Sequence, residues 1–160
     1  MSPRAAWRLE SLGYSDVYDY TAGKLDWMAA GLLTEGTNAS LPRAGDLARK
    51  DVPTCTPEEK LGAVRDRVHS LGWDAVVVLN AERIVFGLLR ARELALDGDQ
   101  EIARALRPAP STFRPYVLAK EMARRMVEHK LESSPITTSD GRLVGLLLQK
   151  DVIAAAESGQ

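Results

Sequence analysis

The stretch FGLLRARE at residues 86–93 decides the fold, because it returns as VGLLLQKD at residues 144–151. The two glycines lie 58 positions apart, and the same offset carries TCTP at 54–57 onto TFRP at 112–115. Because both ends match in register, neither copy has an insertion between its two matched blocks. The chain is therefore predicted to contain an internal repeat, the feature that most strongly constrains a fold.

Each copy carries the same order of predicted elements. In the first copy, apolar residues recur every three or four positions along a helix that ends at Gly72, namely Leu61, Val64, Val68 and Leu71. Strands over 73–79 and 83–89 follow, and then a short helix over 93–96. The second copy repeats this with a helix over 117–130, strands over 135–138 and 143–148, and a helix over 151–157, with Leu118, Met122, Met126 and Val127 facing inward. Short lead-in helices over 44–48 and 102–106 precede the copies.

One such unit has too few elements to cover both faces of its own sheet. Two copies stacked sheet against sheet cover them, which is why repeats come at least in pairs. The predicted fold class is therefore α/β (α+β), with two β-α-β-β-α units over 44–98 and 99–157 related by pseudo-two-fold symmetry. Residues 1–40 form an amino-terminal extension of helix and strand with its linker.

Composition excludes several classes of protein. The 160 residues are 45% hydrophobic and 27% charged, with a net charge of -1, which excludes a disordered chain and a strongly basic nucleic-acid binder. No apolar stretch approaches the roughly 20 residues that span a bilayer. We expect a soluble, cytoplasmic protein with no nucleic-acid or membrane partner. The single cysteine, Cys55, excludes an intramolecular disulfide, and we interpret it as a small buried hydrophobic residue.

The repeat resembles a tandem pair of cystathionine-β-synthase-type (CBS) domains, also called a Bateman module. The likeness rests on the Thr-x-x-Pro that opens each copy, the G-L-L-x-x-x-[ED] that closes it, and Pro135-Ile136 ahead of Asp140-Gly141. It covers about residues 44–155. It implies a regulatory module that binds AMP, ADP, ATP or S-adenosylmethionine in the cleft between the sheets.

The resemblance also implies where such a ligand is held. The family's closing strand reads G-h-h-[ST]-x-x-D, whose hydroxyl and carboxylate bind the ribose; a carboxylate accepts from two hydroxyls at once. The carboxylate positions are Glu93 and Asp151, while Arg90 and Leu148 replace the hydroxyl residue. We expect the second copy, near Asp151, to be the better site. At the first copy the ribose would shift or be replaced by phosphate.

Each further candidate for the ligand site also has a structural alternative. Cationic side chains could hold a phosphate, namely Arg90, Arg92, Arg114 and Lys150. Thr54, Thr112, Pro135 and Ile136 could line the site. The alternatives are solvated cations and ordinary strand ends, and acids at a helix start stabilise the helix without any ligand.

The first forty residues resemble the carboxy-terminal third of a rhodanese domain. A helix over 3–12, a strand over 16–20, a helix over 25–33 and a linker over 34–42 are predicted. The likeness rests on SPRAAxxLxxLG at 2–13, Val17-Tyr18, Trp27 and Glu35-Gly36. That family carries its reactive cysteine just before the first helix, where this chain begins at Met1, so we expect no sulfurtransferase activity. An evolved remnant and a truncated start both fit this beginning.

Two function classes remain open. No catalytic set of residues is found, and His69 and His129 are interpreted as helix-surface residues, not metal ligands, so the chain is not expected to be an enzyme. The first class is a regulatory module for an adenosine-containing ligand. The second is a ligand-free dimeric scaffold. A homodimer is predicted for two reasons. The predicted helix of the second repeat carries more apolar side chains than packing against its own sheet requires, namely Leu118, Met122, Val127 and Leu131. The predicted strand with Val17, Tyr18 and Tyr20 has no neighbouring strand and needs another surface to cover it.

Overall fold

The computed structural model describes residues 3–36, 39–106 and 110–158. The helices are α1 (Pro3–Ser11), α2 (Gly23–Ala29), α3 (Ala44–Leu47), α4 (Leu61–Ser70), α5 (Ala91–Leu94), α6 (Ile102–Ala105), α7 (Ala119–Glu128) and α8 (Gln149–Ser158). The strands are β1 (Thr54–Cys55), β2 (Val76–Leu79), β3 (Val85–Leu89), β4 (Ser133–Thr137) and β5 (Leu143–Leu148). None of the described helices is long and apolar enough to cross a membrane.

The strands form two small sheets of matching topology. In the first sheet, β1 runs parallel to β2, and β2 runs antiparallel to β3. In the second, β4 and β5 are antiparallel, and Phe113 forms a parallel bridge to Ile136 in the place that β1 holds in the first sheet. The mixed α/β class and the order of elements are as predicted.

The 58-residue offset reappears in the pairing of individual residues. Val78 pairs with Gly87 in the first sheet, and Ile136 pairs with Gly145 in the second. Both ladders shift register directly after these pairs. Helices α4 and α7 also begin and end at equivalent positions. The predicted equivalence of the two repeats is confirmed down to the register of the ladders.

The buried side chains form three clusters. The core of the first repeat holds Cys55, Leu61, Val64, Val68, Val76, Val78, Leu89, Leu94, Ile102 and Ala105. The core of the second holds Ala44, Ala48, Ala119, Met122, Met126, Ile136, Leu147 and Val152. A third cluster joins the sheets through Val52, Ala75, Val77, Leu79, Leu88 and Leu146. The sheets therefore stack on apolar side chains that neither repeat covers by itself.

The short lead-in helices are exchanged between the repeats. Helix α3, which precedes the first repeat in the chain, packs in the core of the second, where the N–H of Ala44 donates to the carbonyl of Val117 at 2.8 Å. Helix α6 packs in the core of the first, where the N–H of Ile102 donates to the carbonyl of Glu59 at 3.0 Å. This exchange ties the two units together, so each core is completed by a segment from beyond its own repeat.

The glycine of the repeated motif marks the place where these segments approach the sheets. A Cβ on Gly145 would lie 2.7 Å from the carbonyl oxygen of Arg49, which is backbone that cannot turn aside. A Cβ on Gly87 would overlap the end of the Leu106 side chain. The motif therefore needs glycine because another segment of the chain lies against the strand.

Three expectations about helix faces need correction. Leu71, expected on the buried face, is 58% exposed, because α4 ends at Ser70 and Leu71 lies beyond its last turn. Val127, also expected inward, is 57% exposed, because it lies about 100° around α7 from the buried Met126. Met122 is fully buried, so it is not available to the dimer surface that the sequence suggested.

The strand expected over 16–20 is wrong. These residues have no regular structure, although α1 and α2 lie close to the predicted helices. The Tyr20 hydroxyl donates to Asp26 Oδ2 at 2.6 Å, and its ring meets that of Trp27 edge to face with centroids 5.2 Å apart. Tyr20 therefore packs against α2 while Tyr18 is exposed, and residues 16–20 form no strand that needs cover from a second chain.

Candidate functional site

A cleft of about 570 Å³ opens where the two repeats meet. The first repeat contributes Asp74, Ala75, Arg90, Ala91, Arg92 and Glu93. The second contributes Glu132, Ser133, Leu148, Gln149 and Lys150. With the exception of Glu93, each residue has its 58-residue equivalent in the opposite wall, so the cleft lies on the pseudo-two-fold axis. Its volume is in the range of small-molecule sites.

Arg90 spans the cleft from the end of β3. Its backbone N–H donates to Glu93 Oε2 at 3.1 Å, which fixes the start of α5. Its guanidinium Nη2 donates to the carbonyl oxygen of Ser133 at 3.1 Å, in the other repeat. Arg90 thus connects the two repeats and brings a positive charge to the cleft.

The Glu93 side chain contacts both the cleft and the start of a helix. It lines the cleft, as the resemblance implied, and its carboxylate also caps the first turn of α5. Glu93 therefore stabilises the start of α5 without any ligand. A ligand that used Glu93 would share the carboxylate with the Arg90 N–H.

Asp151 lies in the first turn of α8, outside the lining of the cleft. Its Oδ2 accepts from Arg49 Nε at 2.8 Å and its Oδ1 from Arg49 Nη2 at 3.4 Å. This hydrogen bond raises the pKa of the Arg49 guanidinium. Because the two side chains are 44% and 26% exposed, solvent screens the pair and it contributes little to the stability of the fold.

Sequence reasoning missed Arg49. It is 102 residues from Asp151, and no local motif connects them. Its guanidinium also lies 6.0 Å from the ring centroid of Trp73, so the segment after α3 contacts both repeats through one side chain. Only the exchange of α3 onto the second repeat brings this residue to α8.

The remaining predicted residues lie in or beside the sheets. The Thr54 carbonyl accepts from Arg67 Nη2 at 3.1 Å, and Thr112 is half-buried just before the Phe113 bridge. Arg114 donates to the hydroxyl of Thr137 and, at 3.4 Å, to its carbonyl. The last two, Pro135 and Ile136, are buried in β4. Arg92, Leu148 and Lys150, by contrast, line the cleft with Arg90 and Glu93.

Ser133 is a second residue that sequence reasoning missed. It begins β4, lines the cleft and is 4% exposed. Its hydroxyl makes no hydrogen bond within the described part of the chain. A buried hydroxyl without a partner is unusual and calls for an explanation. The only sequence signal is that Ser133 replaces Ala75, its equivalent in the first repeat.

Cys55 is a core residue, as predicted. It is 3% exposed in the first repeat's core, and burial raises the pKa of its thiol to about 12. The reactive thiolate is therefore strongly disfavoured. No cluster of side chains suited to a metal ion occurs among residues 3–36, 39–106 and 110–158.

Two curated relatives share the repeat region. An uncharacterized protein of Methanopyrus kandleri is 26% identical over 117 residues, covering 68% of this chain and 60% of the relative. The inosine-5'-monophosphate dehydrogenase of Korarchaeum cryptofilum is 26% identical over 115 residues, covering 71% of this chain and 24% of the enzyme. This chain thus spans less than two thirds of the length of either relative.

Solved structures share the fold. CBSX2 in complex with AMP superposes with a TM-score of 0.66 at 18% identity, covering 73% of this chain and 97% of that one. The cytosolic domain of the Mg²⁺ channel MgtE in complex with ATP gives 0.65 at 21% identity, covering 71% of this chain and 48% of that one. These likenesses support the arrangement of the two repeats.

A family model for the CBS domain matches the chain twice, over residues 44–96 and 102–158. These matches contain both glycine motifs, both sheets and every residue that lines the cleft. The repeat, its exchanged lead-in helices and its paired sheets are thus accounted for by one family: the chain belongs to the CBS domain family and carries two copies of that domain.

Proposed function

We propose that this chain is a regulatory module that binds an adenosine-containing nucleotide in the cleft between its two CBS domains. The observation that carries the proposal is the cleft itself, whose opposite walls are equivalent residues of the two repeats. Two structural neighbours were crystallised with AMP and with ATP. The proposal assigns no catalytic step to the chain.

The charges of the cleft support a phosphorylated ligand. Arg90, Arg92 and Lys150 line it, and the planar guanidinium of arginine matches phosphate geometry. The acids Asp74 and Glu132 stand at equivalent positions in the two walls, where they can accept from ribose hydroxyls or an exocyclic amine. The cleft thus offers both donors and acceptors to one molecule.

A thermal-shift screen against AMP, ADP, ATP and S-adenosylmethionine tests the proposal. A ligand at about 100 times its Kd adds roughly 2.7 kcal/mol to the free energy of unfolding. For a chain of this size we expect Tm to rise by roughly 5–10 °C with at least one of these compounds. Inorganic phosphate at the same concentration is the control. No shift with any of the four would contradict the proposal.

The ranking of the two carboxylates stays a prediction. We expect Asp151→Ala to remove most of the adenosine affinity and Glu93→Ala to remove less. Because Asp151 lies outside the cleft lining and pairs with Arg49, this ranking requires the ribose to reach beyond the cleft to the first turn of α8 and the pair to open. Calorimetric titration of both variants measures the difference. Equal losses, or a larger loss from Glu93→Ala, would show that the ranking is wrong.

A ligand-free dimeric scaffold is the second candidate function. An open apolar groove lies along α7 and α8. Its lining residues are Ala123, Arg124, Val127, Glu128 and Ile153. Arg124 and Glu128 pair at 3.5 Å on the same helix face. If two copies meet through this face in antiparallel orientation, Arg124 of each copy lies opposite Glu128 of the other, with the exposed Val127 between them. A two-fold interface requires such a self-complementary surface. We propose that the chain forms a homodimer through this groove.

Light scattering tests the homodimer. At tens of micromolar we expect a mass twice the 17.5 kDa of the chain. Val127→Glu should shift the mass toward the monomer, because it places a charge in the apolar centre of the groove. Val17→Glu, in the extension, is the matched control and should leave the dimer intact. A wild-type chain with the mass of a monomer would refute the proposal.

We further propose that residues 1–40 are related to the carboxy-terminal segment of a rhodanese domain. Helices α1 and α2 support this, and the missing strand over 16–20 counts against it. Cys55 has a buried thiol of raised pKa and does not replace a reactive cysteine. We expect the purified 160-residue chain to produce no thiocyanate from thiosulfate and cyanide. Detectable production would overturn this expectation.

A further inference from the structure

A second pocket, of about 360 Å³, lies between the amino-terminal extension and the second repeat. The extension contributes Met28 and residues 30–34, and α3 forms part of the opposite wall. Thr138 and Val144 place the pocket where β4 ends and β5 begins, whereas the cleft lies where β4 begins and β5 ends. Among the described residues none lines both, so the pocket is separate from the cleft.

Hydrogen bonds outside the pocket hold its walls in place. Asp26, in α2, accepts from the Tyr20 hydroxyl at 2.6 Å and from Ser139 Oγ, in the second repeat, at 2.8 Å. Both bonds lower the pKa of the Asp26 carboxyl. In the opposite wall, the N–H of Gly45 donates to the carbonyl of Pro115 at 3.0 Å. The pocket is therefore formed before any ligand enters, as small-molecule sites usually are.

The extension creates this pocket, which the first repeat lacks. Val144 is half-buried, packs against the core of the second repeat and lines the pocket together with residues 30–34. Its equivalent 58 residues earlier is Phe86, which is 47% exposed. The pocket is therefore a feature of the extension of this chain and not of the repeated unit.

The charged side chains that line the pocket are two cations, Arg43 and Lys50, and one acid, Asp46. Asp46 Oδ2 accepts from the backbone N–H of Arg43 at 2.9 Å, so this carboxylate is held at the start of α3. Arg43 Nη1 donates to the carbonyl of Tyr116 at 3.1 Å. The Lys50 ammonium makes no hydrogen bond or ion pair within residues 3–36, 39–106 and 110–158. The lining therefore has an excess of one positive charge, with Lys50 available to an anion.

Apolar side chains form much of the remaining lining. Met28, Leu32 and Leu33 come from the extension and Val144 from β5. Leu33 is 93% exposed and Leu32 is 42% exposed, so both present hydrocarbon to water. A water molecule takes about 30 Å³ in the liquid, so the pocket has room for a ligand of about ten non-hydrogen atoms. Its lining combines hydrocarbon with one available cation, which suits a small amphipathic anion.

We propose that this pocket binds a small monocarboxylate with a hydrocarbon body, its carboxylate at Lys50 and its hydrocarbon against Met28, Leu32 and Val144. One negative charge balances the excess positive charge of the lining, and a carboxylate accepts hydrogen bonds from an ammonium. The hydrocarbon body covers apolar side chains that water otherwise contacts. This inference is independent of the nucleotide proposed for the cleft, because the two places share no lining residue among those described.

NMR titrations of the ¹⁵N-labelled full chain with hexanoate, acetate and n-hexanol test the proposal. Hexanoate should move the amide signals of Gly31 and Gly45, one in each wall, and leave those of Arg90 and Gln149 in the cleft unchanged. Acetate should bind about ten- to hundredfold more weakly, because it buries fewer methylene groups. Hexanol should bind about three- to tenfold more weakly, because it offers no charge to Lys50. Saturating AMP should leave the hexanoate affinity unchanged.

Three lysine variants locate the carboxylate. Lys50→Glu should weaken hexanoate binding at least about tenfold, because it replaces the attracting charge by a repelling one. Lys50→Arg should keep the affinity within about twofold, because it retains the charge and the donors. Lys120→Glu, at an exposed position of α7, makes the same change in net charge elsewhere and should leave the affinity unchanged. Lys50 is exposed, so its variants should keep the Tm of the wild type.

The outcomes separate this inference from the proposed function. The inference would be overturned by signals that do not move with hexanoate or that move in the cleft instead. Equal affinities for hexanoate and hexanol, or equal losses in Lys50→Glu and Lys120→Glu, would also overturn it. Each of these results leaves the proposed function standing. A chain that binds hexanoate in this pocket but no adenine nucleotide would support the inference and overturn the proposed function alone.

Discussion

Replacement of Leu146 by alanine is expected to lower the free energy of unfolding by about 2–5 kcal/mol. Leu146 is fully buried in β5 and belongs to the cluster that joins the two sheets. The loss combines the transfer free energy of the deleted methyl groups with the cost of the cavity left behind. A domain of this size is stable by only about 5–15 kcal/mol, so the change is a large fraction of the total.

Urea unfolding followed by circular dichroism measures this effect. Leu71→Ala is the matched control, because Leu71 is 58% exposed and should change stability by no more than about 0.5 kcal/mol. A loss below about 1 kcal/mol for Leu146→Ala would show that the sheets do not depend on each other for stability. The interface between the repeats would then not be the core described here.

Gly145→Ala is expected to destabilise the chain by about 1–3 kcal/mol, and Gly87→Ala by less. At Gly145 the new Cβ meets the backbone carbonyl of Arg49, which hydrogen bonds to β5, since the N–H of Leu146 donates to it at 2.9 Å. At Gly87 the new Cβ meets the end of the Leu106 side chain, which can turn aside. The same substitution at equivalent positions therefore has unequal costs.

Thermal unfolding of the two variants in parallel gives the comparison, and each serves as the control for the other. A lower Tm for Gly145→Ala than for Gly87→Ala confirms that the segment after α3 is held against β5 by its backbone. Equal Tm values, or a larger loss at Gly87, would mean that the approach of Arg49 to Gly145 is not as close as the structure has it.

The repeat was predictable because its evidence is local and duplicated. Two glycine motifs and two Thr-x-x-Pro motifs share one offset, and a shared offset implies equivalent strands even where the individual patterns are weak. The offset implies that the two ladders are equivalent, and the pairs Val78–Gly87 and Ile136–Gly145 are equivalent. Fold class and element order were therefore accessible from the residues alone, whereas the register within each ladder came from the structure.

The exchange of the lead-in helices was not predictable from the sequence. Helices α3 (AGDL) and α6 (IARA) have four residues each and combine a few apolar side chains with one charged side chain. Nothing in their pattern says which core they join. The pair of Arg49 with Asp151 depends on this exchange, which is why a motif-based analysis found Asp151 and missed the arginine bound to it.

The candidate site was predictable in part. Motif positions led to Arg90, Arg92, Glu93, Leu148 and Lys150, all of which line the cleft. Ser133 was missed because its significance depends on burial and on the absence of a hydrogen-bond partner, neither of which a sequence shows. The wrong strand over 16–20 has a similar cause, because alternating side chains indicate a strand only where a neighbouring strand exists to pair with it.

A crystal structure of the chain grown with a saturating adenine nucleotide tests the central claim most directly. The account predicts a nucleotide in the cleft between the two CBS domains, in contact with the residues of both repeats that line it, Arg90 among them. A cleft that remains empty, with the Arg90 guanidinium still on the Ser133 carbonyl, or a nucleotide bound elsewhere on the chain, would contradict it.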